Sequence, residues 1–195
     1  MSIIRPHKVT MQGKTDKYDI TLRPLVDADF PLLSKWYADP EVLYWTEFDE
    51  VEPYSPEMVE RIYHTVSQKA LCFAIEANGR MIGDCWLQEM NLPNVIAMYP
   101  PNTDIRRIDM AIGEKEYWNK GVGSAFIKLL IDYAFMAERV DVLHCLCADY
   151  NIRSQRMWKK HSFSCILKEA LPEMREARAV CHWQLTKEEY QHTFL

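Results

Sequence analysis

The stretch DMAIGEKEYWNKGVGS, residues 109–124, is the most informative part of the chain. It begins as an apolar strand, passes through a polar turn with glycines at Gly121 and Gly123, and leads into a helix. The helix is indicated by apolar residues at helical spacing, namely Phe126, Leu129, Leu130 and Tyr133. Glycines two residues apart let the backbone approach a ligand closely, and a helix start offers unpaired N–H groups. The stretch therefore predicts a phosphate site.

Two common phosphate sites are disfavoured by what this stretch lacks. A nucleotide-hydrolysing loop ends in Gly-Lys-Ser/Thr, and a dinucleotide fold needs a third glycine within repeated strand–helix units. Here Lys120 precedes the glycines and no third glycine follows. Residues 116–123, EYWNKGVG, instead resemble motif A of the GNAT acetyltransferases, Gln/Arg-x-x-Gly-x-Gly/Ala, which grips the pyrophosphate of coenzyme A. Trp118 stands where the general motif has Gln or Arg.

A second motif lies downstream in residues 149–163, DYNIRSQRMWKKHSF. It resembles motif B of the same superfamily, Asn-x-x-Ser/Ala-x-x-x-Tyr-x-x-x-Gly-Phe, with Trp158 in place of the Tyr and Ser162 in place of the Gly. Asn151 is expected to cap a short helix and to offer its amide to the pantetheine arm of the cofactor. Two motifs in this order, with one strand between them, predict the GNAT superfamily.

The resemblance implies the GNAT fold, an α/β (α+β) structure with helices on both faces of a mixed sheet of about six to seven strands. It implies acetyl-CoA as co-substrate, without a metal. The residues expected to bind it come from the central strand, the glycine loop and motif B: Met110, Ala111, Ile112, Trp118, Asn119, Lys120, Gly121, Val122, Gly123, Ser124, Asn151, Ser154 and Trp158.

The rest of the chain has patterns expected of such a domain. Helices are predicted after Asp27 and Ser55, and a hairpin is predicted over residues 71–88 with its turn at Asn78-Gly79. Further strands are predicted at residues 20–23, 105–112, 142–148, 165–168 and 180–185. We predict a single domain over residues 18–195. Residues 1–17 are an N-terminal extension for which a flexible tail and an extra edge strand remain alternatives.

Composition narrows the function classes. A chain of 195 residues with 48% apolar content can bury one sizeable core. A net charge of −5 disfavours nucleic acid and membrane partners and favours a small cationic amine as substrate. The chain has no secretory signal and no membrane-length apolar run, so we expect a cytoplasmic protein, as a monomer or homodimer. The six cysteines have no metal-binding spacing, which favours reduced thiols and no metal site.

Residues 107–123 and the later segment LPEMRE, residues 171–176, resemble the aminoglycoside 6′-N-acetyltransferases. That resemblance implies that Asp109 is the active-site carboxylate beside the thioester. An amine with a pKa of about 10 is protonated at neutral pH, and a carboxylate can attract it and accept its proton. A salt bridge of Asp109 with Arg106 or Arg107 is the structural alternative. A backbone N–H of residues 110–112 would polarise the thioester carbonyl.

The leaving thiolate is a separate question, because the indole of Trp158 has no proton to release. Coenzyme A thiol has a pKa of about 8.5, so its thiolate leaves readily and water can protonate it. Tyr150 or Ser154 are alternative donors. No cysteine lies near motif A, which favours direct transfer over an acyl-enzyme.

The acceptor site is expected between the first two predicted helices, where carboxylates and aromatic residues alternate. The acidic residues there are Asp39, Glu41, Glu47, Asp49, Glu50, Glu52, Glu57 and Glu60. Trp45, Glu47 and Asp49, together with Asp109, are the candidate substrate-binding residues, although a solvated acidic loop explains the same pattern. Three hypotheses stay open: an antibiotic-resistance aminoglycoside 6′-N-acetyltransferase, a GNAT enzyme for a polyamine, siderophore precursor or protein N-terminus, and a coenzyme A-binding module without activity.

Overall fold

An eight-stranded mixed sheet forms the centre of the computed structural model, which describes residues 2–49 and 51–194. The strands are β1 (Met11–Lys14), β2 (Asp19–Pro24), β3 (Ala70–Ala77), β4 (Arg80–Glu89), β5 (Ile105–Ile112), β6 (Val142–Ala148), β7 (Ser164–Ala170) and β8 (Ala179–Thr186). Their order in the sheet is β1-β2-β3-β4-β5-β6-β8-β7, and β5 and β6 are the parallel pair. The predicted fold class is confirmed, with eight strands against the predicted six to seven.

Helices cover both faces of this sheet, so each face has its own apolar core. The helices are α1 (Phe30–Tyr37), α2 (Pro40–Thr46), α3 (Pro56–Val66), α4 (Pro93–Ile96), α5 (Val122–Asp132), α6 (Ile152–Lys160) and α7 (Lys187–Phe194). One core is built on α5, whose Phe126 and Leu130 are fully buried. The other is built on α1 and α3, through Leu33, Trp36 and Tyr63. In the described residues, every helix is too short or too polar to cross a bilayer.

Contacts with other segments of the chain hold the N-terminal residues and α2 in place, and the local sequence pattern does not predict these contacts. β1 pairs with β2 as an edge strand. Before it, Ile4 is buried, and its N–H donates to the Asp27 carboxylate at 3.1 Å. Helix α2 has seven residues, which is too few for stability by propensity alone. It packs through buried Val42 and Leu43 instead.

The parallel strands β5 and β6 separate part-way along their length. They pair only as far as Ile108 and Cys145, although β5 continues to Ile112 and β6 to Ala148. Beyond that point β5 pairs with β4 on one side, and its other edge has no strand partner among the residues that the structure describes. The separation leaves backbone groups of residues 109–112 facing an open cleft. This cleft positions the candidate site.

Candidate active site

The glycine loop directs backbone donors at one point, the beginning of α5. Asn119 and Gly121 have φ values of 58° and 81°, the left-handed conformation that turns the chain sharply into the helix. Within the described part of the chain, no side chain caps this end of α5 by accepting a hydrogen bond. The N–H groups of the first turn cannot be satisfied within the helix, and the positive end of the helix dipole lies there. This loop therefore suits an anion.

A groove of about 260 Å³ runs from this loop to the separated strands, and we call it the loop groove. The predicted residues that line it are Met110, Ile112, Trp118, Asn119, Gly121, Gly123, Ser124, Asn151 and Ser154. The other four predicted residues do not line it. Ala111 and Val122 are buried in the two cores, Lys120 is exposed, and Trp158 lines a different cavity.

The start of α6 holds the end of α2 against the loop groove. Asn151 caps α6, because its Oδ1 accepts from the N–H of Ser154 at 3.1 Å. Its amide nitrogen donates to the carbonyl of Trp45 at 2.7 Å, so one of the two N–H donors predicted for the pantetheine arm is engaged with α2. The hydroxyl of Tyr150 donates to the carbonyl of Tyr44 at 2.6 Å. These two bonds fix the position of Trp45.

An arginine between two tryptophan rings joins the two walls of the loop groove. The guanidinium carbon of Arg153 lies 3.9 Å from the ring centre of Trp45 and 4.6 Å from that of Trp118. The Trp118 ring is fixed in turn, because its Nε1 donates to the carbonyl of Ile112 at 2.7 Å. Burial lowers the pKa of Arg153 without removing its charge. Cation–π attraction therefore stabilises the contact between α2 and the glycine loop.

A second cavity, of about 320 Å³, adjoins the loop groove, and we call it the aromatic cavity. Its aromatic lining residues are Tyr37, Trp45, Phe48, Tyr54, Tyr63, Trp86 and Trp158. The two spaces share five lining residues, namely Trp45, Thr46, Met110, Asn151 and Ser154. The charged groups of the aromatic cavity are Glu47, Arg107 and Asp109. A ligand in the groove and a ligand in the cavity would therefore meet at β5.

Asp109 lines the aromatic cavity and also forms an ion pair with Arg107. Arg107 Nε and the terminal Nη2 donate to the two carboxylate oxygens at 2.6 and 2.8 Å. Trp86, directly opposite on β4, adds a third hydrogen bond from Nε1 at 2.8 Å. Asp109 is therefore both a carboxylate of the cavity wall and the salt-bridge partner of Arg107. The ion pair fixes the orientation of the carboxylate.

A sequence model of the acetyltransferase (GNAT) domain matches residues 19–164, about three quarters of the chain. The chain belongs to the GNAT acetyltransferase family. A relative at low identity is an aminoglycoside N(6′)-acetyltransferase type 1 from Klebsiella pneumoniae, 22% identical over 157 residues, which are 74% of this chain and 73% of the relative.

Solved structures with this fold include two enzymes with amine ligands. The aminoglycoside acetyltransferase AAC(6′)-Ib with coenzyme A and kanamycin has a TM-score of 0.69 at 17% identity, covering 89% of this chain and 98% of its own. Spermidine N-acetyltransferase from Vibrio cholerae with coenzyme A and spermine has a TM-score of 0.72 at 18% identity, covering 88% and 98%. At these identities the likeness shows the fold.

The co-substrate of this GNAT N-acetyltransferase is acetyl-CoA, and two features of the loop groove suit it. The uncapped start of α5 offers backbone donors to a pyrophosphate. The unpartnered edge of β5 offers backbone groups to the amides of an extended pantetheine arm. Neither feature depends on a charged side chain, which explains how Trp118 can replace the Gln or Arg of the general motif.

Most of the acidic residues predicted for the acceptor site lie elsewhere in this GNAT domain. Asp39 and Glu41 pair with Lys115 at 2.8 and 2.6 Å. Asp49, a predicted substrate-binding residue, does not line the aromatic cavity, because its carboxylate accepts from the backbone N–H groups of residues 176 and 177. Glu52, Glu57 and Glu60 are exposed, and Glu50 lies outside the described residues.

Glu47 is the carboxylate of that acidic segment that lines the aromatic cavity. It follows the last residue of α2 and is half-buried. Burial raises the pKa of Glu47 to about 7; the negative charge of Asp109 adds to the increase and the positive charge of Arg107 opposes it. Glu47 therefore titrates near neutral pH within the cavity.

A buried carboxylate that sequence reasoning missed lies beneath the aromatic cavity. Asp84 of β4 is 1% exposed, and burial raises its pKa to about 7. The Tyr63 hydroxyl donates to it at 2.5 Å and lies 3.3 Å from the Tyr37 hydroxyl. Both tyrosines line the cavity. An aspartate inside the apolar strand MIGDCWL was the available signal, because lone charges are rarely buried without a specific partner.

Trp158 occupies the motif B position at which the general pattern has Tyr. It is 1% exposed, and within the described residues its Nε1 has no hydrogen-bond partner. Its ring packs on Phe163, with ring centres 5.0 Å apart. The hydroxyl of Tyr150 is engaged with α2, whereas Ser154 lines both the groove and the cavity. Ser154 therefore has the better position of the two alternative proton donors.

Proposed function

We propose that this GNAT enzyme transfers an acetyl group directly from acetyl-CoA to a primary amine of a cationic small molecule, the 6′-amine of an aminoglycoside. The observation that carries the proposal is the aromatic cavity, in which the carboxylates of Glu47 and Asp109 lie where the cavity adjoins the loop groove. Carboxylates attract an ammonium group, and aromatic faces pack on the apolar faces of sugar rings and on cations. The named substrates of the relatives are also amines.

Acetyl-CoA would bind with its pyrophosphate at the start of α5 and its pantetheine arm along the free edge of β5. Its carbonyl oxygen would then accept a hydrogen bond from a backbone N–H of residues 110–112. Such a donor is held by the sheet and does not have to reorganise when negative charge develops on the oxygen. Asp109 is proposed to orient the acceptor amine at the adjacent point on β5.

Direct transfer is favoured over an acyl-enzyme by the state of the cysteines. Cys147 is the cysteine that lines the aromatic cavity. Burial raises the pKa of the Cys147 thiol to about 12, so the thiolate required of a nucleophile is a very minor form at neutral pH. The amine itself therefore attacks the thioester.

A polyamine is the second candidate acceptor, and the acidic segment favours it. Among the described residues, the cavity holds one carboxylate without an ion-pair partner, Glu47, since Asp109 is paired with Arg107. A polyamine is a narrow, flexible chain that can leave its other ammonium groups in solvent, so it needs fewer carboxylates within the cavity than a rigid aminoglycoside does. Asp39, Glu41 and Asp49, which would have completed an aminoglycoside site, are engaged elsewhere.

Thiol release from acetyl-CoA, with mass analysis of the products, tests both candidates. The acceptors are an aminoglycoside with a 6′-amine, one with a 6′-hydroxyl, spermidine and a short peptide. Turnover restricted to the 6′-amine, together with a raised inhibitory concentration of that drug for bacteria expressing the protein, supports the first candidate. Faster turnover of spermidine selects the second, and faster turnover of the peptide overturns both.

A further inference from the structure

We propose that Glu47, rather than Asp109, takes the proton from the acceptor ammonium group, and that Asp109 is the group that orients the amine. This inference rests on the proposed function and assigns the proton transfer within the same site. Two differences between the cavity carboxylates support it. One is the number of hydrogen bonds that each carboxylate already accepts, and the other is the set of charged groups around each of them.

The Asp109 carboxylate is already engaged by three donors. Arg107 bonds to both oxygens at 2.6 and 2.8 Å, and Trp86 bonds to one of them at 2.8 Å. A proton placed on Asp109 would compete with these donors and leave the Arg107 guanidinium, whose side chain is 19% exposed, without its counter-charge. Asp109 is therefore suited to hold a fixed negative charge through the reaction.

The Glu47 carboxylate has the opposite surroundings. No hydrogen bond or ion pair reaches it from the residues that the structure describes, and it is half-buried in the cavity wall. The groups that face it are Asp109 and Arg107 from β5, Tyr37 from α1, Tyr54 from the segment before α3, and Asp84 beneath the cavity.

These surroundings make Glu47 a proton acceptor matched to neutral pH. Burial raises the pKa of Glu47 to about 7, with a further increase from Asp109. A general base is most effective when its pKa lies near the operating pH, because it is then both ionised and basic enough to remove a proton. An amine whose pKa is about 10 in water needs such a partner close by.

The step balances as follows. The ammonium gives one proton to Glu47 Oε, and the freed lone pair attacks the thioester carbonyl carbon. The carbon–sulfur bond then breaks, and its electron pair leaves on the sulfur of coenzyme A. The second proton on nitrogen passes to that thiolate, directly or through the Ser154 hydroxyl, and Glu47 returns its proton to solvent. The products are the N-acetyl amine, coenzyme A and one proton.

The pH dependence of kcat/KM in Glu47→Gln, Glu47→Asp and Asp109→Asn tests this assignment. The wild-type rate should fall as pH drops below about 7, because Glu47 must be ionised to accept a proton. Glu47→Gln should lose about 100-fold or more in kcat/KM, and this acid limb should disappear. Glu47→Asp should be slower but should keep a limb. In Asp109→Asn the limb should remain and move to lower pH, because Arg107 is then unopposed beside Glu47.

Glu41→Gln is the matched control, because Glu41 lies in α2, which Glu47 directly follows, but is exposed and paired with Lys115 outside the cavity. It should keep wild-type rates and the wild-type limb. Stabilisation of each variant by acetyl-CoA in a thermal melt shows that the loop groove is intact. A limb that persists in Glu47→Gln and disappears in Asp109→Asn or Asp84→Asn overturns this assignment while the proposed function stands. Wild-type protein that acetylates no amine at any pH overturns both.

Discussion

Replacing Gly121 by alanine tests whether the glycine loop holds the phosphate groups of acetyl-CoA, and Gly79→Ala is a matched control. The two glycines have φ values of +81° and +76°, and a Cβ added at either would meet no atom within 4 Å. Alanine therefore adds the same backbone strain at both sites, about 1–2 kcal/mol. For a chain of this size that lowers Tm by about 2–8 °C in each variant.

The two variants should separate when acetyl-CoA is added. At 100 times Kd a ligand stabilises a protein by about 2.7 kcal/mol, which raises Tm by about 5–11 °C. Gly79→Ala should show this full increase, because Gly79 lies in the β3–β4 turn and does not line the loop groove. In Gly121→Ala the strained loop populates conformations outside the left-handed region, so acetyl-CoA must restore that conformation to meet the donors and binds more weakly. A tenfold weaker Kd costs about 1.4 kcal/mol and leaves an increase of about 3–6 °C.

Thermal melts over a series of acetyl-CoA concentrations, with Kd measured by calorimetric titration, give both quantities. Equal acetyl-CoA responses in the two variants would refute the loop as the phosphate site, because the strain would then be released without cost to binding. A smaller Tm loss in Gly121→Ala than in Gly79→Ala, with unchanged binding, would show that the φ of Gly121 relaxes freely. Either result would direct the search for the phosphate site to other donors of the groove.

Three further predictions test other parts of the site. Arg153→Ala removes the cation between the Trp45 and Trp118 rings and should raise KM for acetyl-CoA about 5- to 30-fold, in line with cation–π contacts of about 1–2 kcal/mol. An unchanged KM would show that this contact does not shape the groove. Gly113→Ala would place a methyl group 2.1 Å from the buried Trp36 ring. It should lower the free energy of unfolding by about 3 kcal/mol and Tm by about 6–12 °C. A wild-type Tm would contradict this packing. Asp49→Asn should leave KM for the amine within about twofold, because Asp49 lies outside the aromatic cavity, and a large increase in KM would return it to the acceptor site.

Local patterns predicted the strands and the hairpin well because their causes are local. The segments 105–112 and 142–148 match β5 and β6 residue for residue. The hairpin turn has Asn78 and Gly79 at φ values of 51° and 76°, a conformation that these two residue types adopt readily. For the opposite reason helix α2 was not predicted, and an edge strand in residues 1–17 was only one of two alternatives. Both are short, and packing and pairing with distant segments stabilise them.

The partners of the carboxylates in the acidic segment could not be predicted from the local sequence. The carboxylates of residues 39–60 look equivalent in the sequence, yet their partners separate them. Lys115, which pairs with Asp39 and Glu41, is 76 and 74 residues away from them. The backbone N–H that donates to Asp49 belongs to Glu176, 127 residues away. The sequence selected Glu47 and Asp49 together as candidates, and no pattern within the segment could tell which of the two faces the cavity.

The sequence by itself determined the family and, through the resemblance of two motifs, the GNAT fold, because those motifs depend on glycines and caps that act within a few residues. It also placed Arg107 and Asp109 on one face of one strand, two residues apart. Only the tertiary structure decided which charges are neutralised. Asp109 accepts from Arg107 and from Trp86 of the neighbouring strand, whereas Glu47 lies half-buried with no donor among the described residues. A carboxylate acts as a base or as a fixed charge according to the groups that folding brings to it, and some of these groups, such as Trp86 beside Asp109, lie on other strands.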